Sequence, residues 1–194
     1  MKWVIRVGIV TVVLPSLAIG LLMLARYRPG RGHVDASIEI HRPAGEVFRW
    51  ISQPERMERW MGGVRDITVV SADDSKEPVG EILHAIEVNP DDNTRTDLKM
   101  VITDYVPGEE FGLDISATGN PDTDFAADTR YRLSENTGST HISFEADMRY
   151  RSRLSEILEP LMTFTARRKF QRDLQRLKTA VEAAADDGTG KSSN

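Results

Sequence analysis

Ala36, Ile38 and Ile40 alternate with Ser37, Glu39 and His41, a period of two that predicts a half-buried strand. Pro43 stops it. From Ala44 to Ile51 the spacing changes: Val47, Phe48 and Ile51 fall on one face of a helix that Pro43 opens. Pro54 begins a second short helix running through Trp60, and Gly62-Gly63 ends the pair. The period of two then returns in six stretches: Val64 to Ala72, Val79 to Val88, Thr94 to Val106, Glu110 to Ala117, Phe125 to Leu133 and Thr140 to Tyr150. Leu98, Met100 and Ile102 against Lys99, Val101 and Thr103 show it well, as do Ile142, Phe144, Ala146 and Met148 against Ser143, Glu145 and Asp147. Asn89 to Asn93, Pro107-Gly108, Gly119-Asn120-Pro121 and Asn136-Thr137-Gly138 supply turn chemistry between stretches. Short consecutive connections predict an antiparallel meander with one covered face.

One later element is long enough to cover that face. Between Ser152 and about Ala185, Leu154, Ile157, Leu158, Leu161 and Phe164, then Phe170, Leu174, Leu177 and Val181, recur at helical spacing. Pro160 is expected to bend or interrupt the helix, because an interior proline removes a hydrogen bond and clashes with the preceding turn. The polar stretch from residue 186 to 194 reads as a frayed tail. Strands followed by a long helix make the class α+β.

The chain begins differently. Val7 to Ala25 is a run of 19 residues without a charge, near the length that crosses a hydrocarbon core, with Trp3 and Tyr27 at its ends. Pro15 and Gly20 are tolerated in such a helix. The expectation is an uncleaved, single-pass membrane anchor. A cleaved signal peptide competes, with Lys2 and Arg6 as its basic start; against it, the run is long and no A-x-A-like site precedes Arg26-Tyr27-Arg28. Bases on both flanks leave the sidedness open. Arg28 to Gly32 reads as a linker, so the expected organisation is anchor and linker over 1–33, a folded domain over 34–185 and a tail over 186–194.

Composition narrows the chemistry. With 194 residues the chain has room for one domain, and without cysteine it can hold no disulfide, thiolate metal site or cysteine nucleophile. The net charge of −5 argues against a nucleic-acid binder, which needs a basic face. Charge is unevenly spread: Asp73 to Asp128 holds 15 acids against three bases, whereas Arg151 to Lys178 holds eight bases against Glu156, Glu159 and Asp173. Solvated faces account for such runs, though Arg167, Arg168, Lys169, Arg172 and Arg176 also suit an acidic partner or anionic headgroups. No nucleophile elbow, phosphate-binding loop, dinucleotide fingerprint, acid/base pair or calcium-loop spacing is present. Neither a metal nor a cofactor is expected.

Ser37-Ile-Glu-Ile-His-Arg-Pro-Ala-Gly-Glu-Val-Phe-Arg-Trp-Ile51, followed by Gln53-Pro-Glu-Arg-Met-Glu-Arg-Trp60, resembles the opening of the START-like, or SRPBCC, superfamily of polyketide cyclases/dehydrases and lipid-transport proteins. Gln53 stands where that family usually has an acid. Tyr131 to Phe144 resembles its late hairpin and Phe170 to Lys178 its closing helix; the likeness spans roughly residues 34 to 182. It implies a helix-grip fold, a curved antiparallel sheet of about seven strands gripping the long C-terminal helix, with a cavity for a lipid, sterol, quinone or polyketide. The motifs are structural, and no catalytic residue carries over.

Within that frame, Ile82 and His84 are placed on the inward face of their strand, where His84 would orient a ligand or move a proton, or else serve as a core or rim histidine. Tyr131 would offer a hydroxyl to a bound carbonyl, or find one partner as buried tyrosines do. Trp60, Met100, Leu113, Phe125, Leu158 and Met162 complete the candidate lining, a role no different in pattern from ordinary core. The expected function is a membrane-anchored binding domain for a hydrophobic small molecule or lipid. The alternatives are a cyclase or dehydratase using His84 and Tyr131, and a protein-interaction module using the basic helix.

Overall fold

A computed structural model describes residues 31–71, 78–90, 92–118, 125–150 and 153–189. Strand β1 (Arg31–Ile40) leads into helices α1 (Ala44–Ser52) and α2 (Pro54–Met57). Strands β2 (Val64–Ser71), β3 (Ile82–Val88), β4 (Arg95–Val106), β5 (Glu110–Thr118), β6 (Phe125–Asn136) and β7 (Ser139–Tyr150) follow, then helix α3 (Arg153–Thr189). The seven strands form one curved antiparallel sheet in the order β1-β7-β6-β5-β4-β3-β2, a meander closed by β1 returning to the side of β7.

The turns follow from residue type. Asn136 pairs with Ser139 across Thr137 and Gly138, both at positive φ (48° and 82°), the two-residue hairpin whose twist suits adjacent strands. Between β4 and β5, Glu109 N–H donates to Val106 C=O at 2.9 Å around Pro107 and Gly108, the latter at φ 81°. Proline then glycine is the order a type II turn requires. At the start of α1, Pro43 has extended backbone and its carbonyl accepts from Glu46 and Val47. The free N–H of Ala44 donates to Glu135 Oε2 at 2.7 Å, so a carboxylate from β6 caps the positive end of the helix.

The inward face of the sheet is the phase of β4 and β7: Leu98, Met100 and Ile102, with Ile142, Phe144, Ala146 and Met148, are buried. Register carries this phase sideways, pairing Leu83 with Met100, Leu113 with Ile102, and Tyr131 with both Phe111 and Phe144. Helix α3 lies over it and runs along β1 in the same direction: Arg167 meets Asp35, Lys178 Nζ reaches Glu39 C=O, and Glu182 accepts from His41 N–H. Gly32 permits the approach, because a Cβ there would collide with Thr163 Oγ1.

Two sequence expectations for α3 change. Of the bend or interruption expected at Pro160, the interruption is absent: the helix continues through it. Leu158, Leu161 and Phe164, expected to face the core, are 42%, 60% and 51% exposed. The inward stripe runs through Met162, Ala166, Phe170, Leu174, Leu177 and Val181, with Glu159 buried ahead of it. Thr163 already stands opposite Gly32, near the beginning of β1, so the preceding turn has passed most of the sheet and turns Glu159 rather than Leu158 inward. Leu154 and Ile157 side chains lie outside the described residues.

The expected single-pass membrane localisation is also corrected: among the described residues, no helix is long and apolar enough to cross a membrane. α3 has the length, at 37 residues, but its bases and acids are spread along it, so burying it in hydrocarbon would desolvate them. The apolar run from Val7 to Ala25 lies outside the described residues.

Candidate functional site

Two volumes flank Leu174, one on each side of α3. The larger, about 1000 Å³, is an open groove beside β1, with Ala36, Ile38 and Leu174 as its floor and Arg168, Arg172 and Gln175 on its rim. The smaller lies between the sheet and α3. It is lined by Trp60, Met61, Tyr131, Phe144, Lys169, Phe170, Asp173 and Leu174. Its volume of about 10 Å³ is near the least that holds one water. Despite its size, chemistry concentrates in the smaller one.

Tyr131 lies in the middle of the sheet, in the row that β5, β6 and β7 align as Phe111, Tyr131 and Phe144. Trp60 closes on it edge-to-face at 6.1 Å and Phe144 leans on it at 4.8 Å, with Phe170 of α3 on Phe144 at 4.7 Å. Such pairs add orientation to area burial. Trp60 is fixed in turn, its indole N–H donating to Trp50 C=O at 2.8 Å. Only 5% of Tyr131 is exposed, and no described residue hydrogen-bonds its hydroxyl. Burial, and then the charge of Asp173, push the phenol far above its usual range, so the hydroxyl stays protonated.

Asp173 is the other polar wall, a 4% exposed carboxylate on the helix face that carries Phe170, Leu174 and Leu177. Its Oδ1 accepts from Gly62 N–H at 3.0 Å and from Arg176 at 3.3 Å, and its Oδ2 accepts from Lys169 at 3.1 Å. Lys169 reaches on to Glu87 of β3 at 3.5 Å. A buried carboxylate survives because three donors, two of them charged, replace its water. The result is a polar latch joining the loop after α2, helix α3 and β3 over the aromatic cavity. A Cβ at Gly62 would strike the Arg176 guanidinium and come within 2.7 Å of Asp173 Oδ1, so a larger residue there would displace the latch side chains.

Of the residues proposed from sequence, Trp60 and Tyr131 line this cavity. Met100 and Leu113 are fully buried core, Met162 packs half-buried against the core, and Phe125 is half-buried at the start of β6 opposite Tyr150. Leu158 is exposed. Ile82 and His84 stand on the other face of β3 from the one expected: Leu83 and Ala85 are the buried pair. His84 instead lies opposite Lys99, with Nε2 3.5 Å from Asp97. The strand Ile-Leu-His-Ala-Ile-Glu-Val is apolar in both phases, and its pairing with β4 chooses between them. His84 and Tyr131 are therefore on opposite faces of the sheet.

Met61, Phe144, Phe170, Asp173 and Leu174 went unnamed as site residues, and Lys169 was named only for an acidic partner or headgroups. Asp173 had a signal: it falls between Phe170 and Leu177 on the apolar stripe, an acid where the period calls for a hydrophobe. The basic run of α3 is largely consumed internally, with Arg167 on Asp35, Lys169 on Glu87 and Asp173, and Arg176 on Asp173. Among the described residues, no group of three or more metal-ligating side chains is assembled.

A curved antiparallel sheet closed by a long C-terminal helix, with an aromatic cavity at their interface, defines a START-like helix-grip domain. The chain belongs to the polyketide cyclase/dehydrase and lipid transport family, whose sequence profile matches residues 31–182. A conserved protein of Geobacillus kaustophilus has the same fold at a TM-score of 0.66 and 15% identity, over 79% of this chain and 96% of that one. A Chromobacterium violaceum protein superposes at 0.61 with 14% identity (78% and 98% covered), and a Thermus thermophilus protein at 0.58 with 13% identity (78% and 98% covered). No curated protein matches the chain in sequence.

Proposed function

We propose that this domain binds a hydrophobic small molecule or lipid between the sheet and α3, at the cavity of Trp60, Tyr131, Phe144 and Phe170. The observation carrying this reading is that an aromatic-lined space at the grip interface is roofed by a polar latch instead of by apolar packing. A void of this size is ordinary in a packed interior, so what marks this one is the polar roof over its aromatic walls. The interface stops at a water-sized void and bridges it with Asp173, Lys169, Arg176 and Gly62. Admission of a ligand requires α3 and the loop after α2 to part, and the latch is a set of hydrogen bonds that water can replace once they do. Family membership supports the same ligand class.

The enzymatic alternative relied on His84 and Tyr131 acting on one substrate, and the sheet separates them. Native mass spectrometry of the full chain, gently prepared, tests the binding reading. A reproducible hydrophobic adduct, displaced by an added apolar competitor, is expected. Repeated preparations that are empty and take up no hydrophobic probe would overturn it.

A further inference from the structure

The polar inventory of the cavity says what the end of a ligand must be. Three polar side chains line it: Tyr131, Lys169 and Asp173. Asp173 has both oxygens occupied by Gly62, Arg176 and Lys169, and Lys169 is held between Asp173 and Glu87. Tyr131 is 5% exposed, and its hydroxyl has no hydrogen-bond partner among the described residues. Its ring lies among those of Trp60, Phe111 and Phe144, and Asp173 is the charge that bears on the phenol. An unpaired hydroxyl in such a place lacks a bond that water or a ligand can supply.

We infer that the ligand is a neutral, largely apolar carbonyl compound whose oxygen accepts a hydrogen bond from the Tyr131 hydroxyl. The inference rests on the reading of this cavity as the ligand site. Charge decides against the other polar ends. The cations Lys169 and Arg176 are matched by Asp173 and Glu87, so a carboxylate or ammonium would arrive without a free counter-ion. A ligand hydroxyl can take the same bond from Tyr131, but it brings a donor of its own, and the only carboxylate lining the cavity, Asp173, already accepts three bonds. A ketone, aldehyde, ester or quinone oxygen only accepts, and the phenol, kept protonated by burial, only needs to donate. The ring of such a ligand then meets Trp60 and Phe170 once these have moved apart.

The test uses two probes of one shape, 2-acetylnaphthalene and 2-isopropenylnaphthalene, which differ in having C=O or C=CH2. Both are titrated against the full chain and its Tyr131→Phe variant by quenching of tryptophan fluorescence. The ketone is expected to lose about fivefold or more in affinity on Tyr131→Phe, the worth of one net hydrogen bond, while the hydrocarbon keeps or gains affinity. In the wild-type chain, the infrared carbonyl band of the bound ketone is expected below its position in dry alkane; this needs no variant and stands if Tyr131→Phe fails to fold. Equal losses for both probes, or an unshifted carbonyl band, overturn the acceptor assignment while leaving the cavity as the ligand site. If neither probe binds the wild-type chain, the cavity reading falls and this inference with it.

Discussion

Ionising the Tyr131 phenol would place a charge among aromatic rings beside Asp173, so the folded chain holds that proton well beyond the ordinary tyrosine value of about 10. The unfolded chain releases it near pH 10. Stability from this residue is therefore complete below pH ~10 and is lost as pH rises past it. Urea unfolding between pH 8 and 11 should show a steeper alkaline loss in the wild-type chain than in Tyr131→Phe; equal slopes would contradict the buried, protonated phenol. Part of the slope will remain, because burial also raises Tyr150, with Glu159 adding to it and Thr163 opposing. Thr137 offers a second residue-scale test. A β-branched residue at φ 48° is strained, and Asn tolerates that conformation in the same turn. Thr137→Asn is expected to stabilise the domain by about 1 kcal/mol, read as a rise in Tm; a fall would mean that the threonine side chain does more than hold the turn. The Asn-Thr-Gly turn was legible in the sequence because turn chemistry is local. The roles of Tyr131 and Asp173 were only half legible, because their mutual position belongs to two elements brought together late in the chain.

Among the elements, α3 and β1 depend on each other. Leu177 is fully buried under the helix, so Leu177→Ala should cost about 2–5 kcal/mol in chemical unfolding, and a loss under 1 would show the helix to be loosely seated. Gly32→Val sets a side chain against Thr163 and is expected to raise amide exchange along both α3 and β1; unchanged exchange would refute the close approach. At the other end of the pair, burial pushes Glu182 up, but hydrogen bonds from His41 and the charge of Lys178 outweigh it and hold the carboxyl below its usual value. That contact contributes above the ordinary glutamate pKa and fades as pH falls through the lowered one. The strand and helix boundaries were readable from periodicity to within a few residues. The phase of β3 was not, since either of its faces is apolar enough to be buried. The exposed face of Leu158, Leu161 and Phe164 was misread for a related reason: helical spacing marks a stripe without saying how far the sheet beneath it extends.

For the whole molecule, the sheet, the α2–β2 loop and α3 meet at Asp173. Asp173→Asn removes the charge while keeping the shape, weakening the bonds from Lys169 and Arg176. It should raise hydrophobic-dye binding and speed exchange at residues 58–63, with the fold intact by circular dichroism. A variant that binds dye no better than wild type would mean that access runs elsewhere, the open groove beside β1 being the alternative. Alternation, turn residues and the closing amphipathic helix determined the α+β class and its antiparallel meander from sequence alone, because each is a local consequence of how side chains sit on strands and helices; the helix grip itself came from the family resemblance. Tertiary structure alone decided which phase of β3 faces inward and where α3 runs off the sheet. It also decided that one acid on an apolar stripe would meet a glycine N–H, a lysine and an arginine over an unpaired tyrosine. The β3 phase depends on its pairing with β4, and the meeting of Gly62 with Asp173 joins positions 111 residues apart; no periodicity within a segment encodes either.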